Sequence, residues 1–121
     1  MGDDVSISDF RRELDELLAA LAGRIEGLKE GLDPEVLSRW YREIEGMARE
    51  RAPEELRDKI NVIQDPDLPM RFHLHISKRA VPFVVDAIES ALPRMPLATR
   101  IYFMLVENMI WEEYNKAKAQ G

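Results

Sequence analysis

The chain has no cysteine. Disulfides, thiol nucleophiles and cysteine-ligated zinc are therefore excluded. That usage fits a reducing compartment, and a cytoplasmic protein is the expectation. Long hydrophobic runs are also missing. The run Ile101–Val106 falls far short of the ~20 residues a membrane helix needs. The first residues, MGDDVSISDF, are acidic and hold no apolar stretch, so a secretory leader is not expected. There is no glycine-rich phosphate loop, no persuasive Ser/His/Asp order and no paired-carboxylate signature. With only two histidines, acid–base or metal chemistry would rest on His73 and His75.

What is present is charge. Charged residues make up 33% of the 121, above the ~25% usual for globular proteins, and this weakly suggests a thermophilic source. Residues 1–60 hold 10 basic and 16 acidic side chains, while 61–121 hold 7 of each. The first half therefore carries the whole net charge of -6. An acidic chain without a long basic stripe is a poor ligand for nucleic acid, whose phosphates supply most of the affinity.

The length is that of one domain, read as residues 1–121, long enough for one real core. Ser6 is placed to cap a first helix, with Asp9 at its third position and Val5 and Phe10 as a hydrophobic staple. Leu14, Leu18, Leu21, Ile25, Leu28 and Leu32 follow at spacings of 4, 3, 4, 3, 4. That heptad seam should pack lengthwise on another helix. Gly23 and Gly27 lie on another face beside Ala19 and Ala20, read either as a close-packing surface or as tolerated exposure. Gly31, Asp33 and Pro34 end one helix and begin the next, forming an antiparallel hairpin.

The second helix should run to about Arg51, burying Leu37, Trp40, Tyr41, Ile44, Met47 and Ala48. Pro53 restarts a short helix through Leu56. Residues 59–65 fit a helix or a strand equally. Met70–Ile76 alternates faultlessly, with Met70, Phe72, Leu74 and Ile76 on one side and Arg71, His73 and His75 on the other. This is a half-buried strand. It needs a partner, either 61–64 or its own copy in another subunit. Helices over Ala80–Leu92 and Leu97–Lys118 complete the chain. The fold class is mostly α (α+β), about five helices with a short β-strand or hairpin between the third and fourth.

Two regions carry functional expectations. The first is Met70–Val85, which gathers Arg71, Lys78, Arg79 and both histidines without a carboxylate. Ser77 reads as a helix cap, followed by Lys78 and Arg79, cations of the wrong sign for the start of a helix dipole. A bound anion would reverse that cost. Arg71, His73, His75, Ser77, Lys78 and Arg79 are thus the candidate residues for a phosphate-bearing or other anionic small molecule. Salt bridges to the acidic first half are the plain alternative. His73 and His75, two apart on a strand, would share a metal if Glu107, Asp86 or Asp65 supplied a third ligand. The basic strand with Phe72 is a lesser candidate for nucleic acid.

The second region is Ile101–Trp111, whose apolar groups surround the helix. Such a helix belongs inside a bundle or at a subunit interface. Glu107 interrupts it, and a buried glutamate there should face a cation such as Arg100, Arg79 or a histidine. Together with the leucine seam and the partnerless strand, this helix favours a non-enzymatic assembly protein working as a homo-oligomer, with a dimer the expectation. No cofactor is implied.

Overall fold

The computed structural model describes residues 4–7, 34–67 and 72–120. The order of elements is β1 (Asp4–Ile7), α1 (Pro34–Arg51), a 3-10 helix (Glu54–Lys59), β2 (Ile60–Gln64) and β3 (Phe72–Ser77). A 3-10 turn (Lys78–Ala80) then leads into α2 (Val81–Ala91), a second 3-10 turn (Leu92–Arg94) and α3 (Leu97–Gln120). The protein is mostly α, with an antiparallel sheet whose β2 and β3 lie between helices. The leucine seam, the paired glycines and the expected helical hairpin around Gly31 and Asp33 lie outside the described residues.

The sheet order is β1-β3-β2. β3 is therefore the central strand. On one side Ile60 pairs Ile76, Val62 pairs Leu74 and Gln64 pairs Phe72. Residues 60–64 thus take the strand alternative, because three β-branched residues in four favour a pleated surface. On the other side Val5 pairs Ile76, Ser6 pairs His75 and Ile7 pairs Leu74. This overturns the reading of Ser6 as a helix cap. Val5 and Ile7 flank it as β-branched residues in strand alternation, and a central β3 has a second row of backbone groups to satisfy. It also removes one motive for oligomerisation, since β3 finds both partners within its own chain.

One face of the sheet is apolar. Ile60, Phe72, Leu74 and Ile76 are buried there, joined by Leu37, Tyr41, Ile44 and Ala48 of α1. Val81, Val84, Val85 and Ile88 of α2, and Tyr102, Phe103, Val106 and Ile110 of α3, complete the core. Trp40 and Met47, expected on the buried stripe of α1, are only partly buried. Aromatic rings sit at the centre. Tyr41 stacks on Phe72 at 4.4 Å between centroids and meets Phe103 edge-on at 4.8 Å. The Tyr41 and Tyr102 hydroxyls hydrogen-bond at 2.8 Å, which satisfies two polar groups that burial would otherwise penalise. Burial pushes both phenols above their ordinary titration range.

Charged side chains of α1 close the outer edge of β2. Glu45, itself buried, accepts the Val62 N–H through Oε2 at 2.9 Å. Arg49 donates to the Ile60 carbonyl from Nη2 at 2.8 Å and from Nε at 3.2 Å. Arg42 reaches the Val62 carbonyl at 3.4 Å. Both arginines also lie within 3.6 Å of Glu45. A sheet edge open to strand addition is here occupied by helix side chains.

Candidate functional site

The strand-to-helix corner places its residues as follows. His73 is half-buried and His75 exposed on the polar face of β3, whose other face holds Phe72, Leu74 and Ile76. In the sheet register His73 lies opposite Ile63, and His75 lies between Ser6 and Asn61. His73 Nε2 is 3.9 Å from Asp65 Oδ2. Arg71 lies outside the described residues. Ser77 makes no capping hydrogen bond through its side chain. Lys78 and Arg79 do not open the α-helix. They occupy a 3-10 turn, and α2 starts at Val81 with Ala80 as its N-cap. Pro82 explains the delay, because proline suits the first turn and lacks the donor an interior position needs. The dipole cost assigned to the two cations therefore largely disappears. Arg79 is moreover paired with Glu55 at 3.3 Å, both exposed, as the plain alternative supposed.

Of the three candidate third metal ligands, Asp65 lies near His73, and the other two face other groups. Asp86 holds Arg51, and Glu107 faces Glu89. Among the described residues no three of His, Asp or Glu come together as a metal site. Phe72 is buried and stacked on Tyr41, so it presents no ring on which a base could stack.

Glu107 corrects a second expectation. It is partly buried, but among the described residues the group it faces is another carboxyl, Glu89 of α2, and not a cation. Burial first, then the hydrogen bond and the like charge of Glu89, push its pKa up to about 7. The sequence signal was weak. Glu89 and Glu107 are 18 positions apart, on helices whose relative rotation the sequence does not set.

The outer side of α3 is the other candidate. Its inner side buries Ala98, Tyr102, Phe103, Val106 and Ile110. The opposite side carries Leu97, Ile101, Met104, Asn108, Trp111 and Asn115, at spacings of 4, 3, 4, 3, 4. Leu97, Met104 and Trp111 are 47%, 50% and 37% exposed, and they project within about 40° of one another around the helix. The apolar surround read from the sequence is thus two faces, one in the core and one against solvent. In heptad terms Leu97, Met104 and Trp111 take d, while Ile101, Asn108 and Asn115 take a. Trp111 rests edge-on against Tyr114 at 5.4 Å, so the stripe is braced.

Among the described residues, no helix is long and apolar enough to cross a membrane. No protein-family model, curated protein or solved structure matches the chain.

Proposed function

We propose that this protein is a non-enzymatic interaction or assembly protein that acts as a homo-oligomer, a dimer formed along the outer stripe of α3. The observation that carries the reading is the exposed row Leu97, Met104 and Trp111, seven residues apart, on a helix whose other side is already the core. Solvent-facing helix surface normally breaks such a row with charge. Asparagine at a lowers the stability of a seam while restricting its register and partner number.

The energy scale is consistent with a modest dimer. Burying the half-exposed stripes of two copies gains on the order of 10 kcal/mol. Association itself costs at least about 4 kcal/mol. The balance, about 6 kcal/mol, corresponds to a dissociation constant of tens of micromolar.

Sedimentation equilibrium up to about 200 µM tests it. Twice the 14.0 kDa chain mass is expected for the parent. Met104→Glu should be a folded monomer, because the side chain is exposed within one chain. A monomeric parent overturns the reading and leaves the leucine seam of residues 14–32 as the occupant of the stripe. A Met104→Glu variant that still dimerises, or that unfolds, also overturns it.

A further inference from the structure

The charges beside the stripe select how two copies would meet, and this inference rests on the assembly reading above. One flank of the seam carries Arg100, Glu107 and Tyr114; the other carries half-buried Leu105 and exposed Glu112, with Ala98 already in the core. Parallel pairing sets Glu107 of each copy against Glu112 of the other, two repulsive contacts. Antiparallel pairing over the full stripe sets Glu107 against Glu107. Antiparallel pairing displaced by one heptad behaves differently. Ile101 then meets Met104, and Leu97 meets Asn108. Arg100 of each copy lies against Glu107 of the other, giving two attractive contacts related by the two-fold axis.

We propose that the protein forms this displaced antiparallel dimer, with Arg100 of one copy compensating the Glu89–Glu107 carboxyl pair of the other. Three features of the single chain support the assignment. Arg100 is half-buried at the seam border and held in place, donating to the Leu92 carbonyl from Nε and to the Met95 carbonyl from Nη2, each at 3.1 Å. A guanidinium fixed in this way loses little freedom on meeting a carboxylate. Glu107 lies close enough to Glu89 to feel its charge, and among the described residues neither is paired with a cation. Arg100 and Glu107 are seven residues apart, about 10 Å along α3. They are too far apart to satisfy one another within a chain, and an antiparallel partner supplies the missing distance.

The absence of native cysteine makes the test direct. Leu97 and Asn108 are both exposed. In the displaced antiparallel dimer they face each other across copies, while the two Leu97 positions lie about 16 Å apart along the axis. A disulfide needs its Cα atoms within about 7 Å. Leu97→Cys alone should therefore give no covalent dimer under mild oxidation. Leu97→Cys mixed with Asn108→Cys should give the mixed disulfide, read on a non-reducing gel and by mass. Efficient self-linking of Leu97→Cys, or a dimeric parent with no mixed product, overturns this pairing while leaving assembly intact. A monomeric parent in sedimentation overturns the assembly reading itself. Glu107→Gln should weaken the dimer about fivefold through loss of two exposed ion pairs. An unchanged dissociation constant removes Arg100 and Glu107 from the interface.

Discussion

Replacing Glu45 by alanine should destabilise the protein and loosen one edge of its sheet. The carboxylate accepts the Val62 N–H at 2.9 Å and lies near Arg42 and Arg49 at 3.5 and 3.6 Å. A hydrogen bond to a charged group contributes about 1.5–3 kcal/mol. Removing it leaves the Val62 N–H without its acceptor and two guanidinium groups without their shared anion. The arginines are partly solvated, so their share is small. The sum is about 2–3 kcal/mol, which lowers the melting temperature of a domain of this size by about 10 °C. Glu45→Gln keeps an oxygen acceptor and loses only charge, so its cost should be nearer 1 kcal/mol. Thermal melts followed by circular dichroism give both values. Hydrogen exchange adds the local reading: the Val62 amide should exchange faster in Glu45→Ala, while amides in the middle of α2 follow only the global change. A loss under 0.5 kcal/mol, or Val62 exchange no faster than those helix amides, would show that the bond does not hold β2 to α1.

Glu107→Gln should stabilise the monomeric chain at pH 8. Its folded pKa of about 7 lies above the ordinary 4.5, so the native state binds the extra proton and stability falls as pH rises from about 4.5 to about 7. Discounted for solvent screening, the gain is about 1 kcal/mol at pH 8 and vanishes near pH 4; denaturant titrations of dilute protein that show a loss at pH 8 would refute it. Tyr41→Phe leaves the ring packing and removes the 2.8 Å bond to Tyr102, costing about 1 kcal/mol; a melt equal to the parent's would mean that the bond is energetically idle. Phosphate should raise the melting temperature of the parent and of Lys78→Ala/Arg79→Ala equally at matched ionic strength, since excluded salts stabilise folded states generally. A larger shift in the parent would establish an anion site at the corner.

The elements defined by local chemistry were legible from the sequence. α1 begins at Pro34 and ends at Arg51 as its amphipathic stripe implies, and β3 shows the alternation of Phe72, Leu74 and Ile76. What escaped depended on pairing. β1 is four residues long, and Ser6 within it has the chemistry of a helix cap as well as that of a strand. Only the need of β3 for a second partner decides between the two. Glu45 sits in an Arg42-Glu45-Arg49 series whose charge pattern is that of any solvated helix face. Its position beside Ile44 and Ala48 put it at the margin of the buried face, where a strand edge happened to need an acceptor. At the corner, Pro82 moved the helix start by one turn, and with it the electrostatic motive for an anion.

The sheet and the helices divide the task of meeting other molecules unequally. β3 is paired on both sides, and the outward groups of β2 at Ile60 and Val62 are taken by Arg42, Glu45 and Arg49. Strand addition at that edge would first have to break four hydrogen bonds from α1. The polar face of β3, with His73 and His75, offers little apolar area beyond Ile63. α3 is different, because its contribution to the core uses only one side and its outer seam costs nothing to uncover. An encounter there displaces water from Leu97, Ile101, Met104 and Trp111 without disturbing a hydrogen bond. At the β2 edge the backbone donors and acceptors of Ile60 and Val62 are already spent, whereas the outer stripe of α3 requires none.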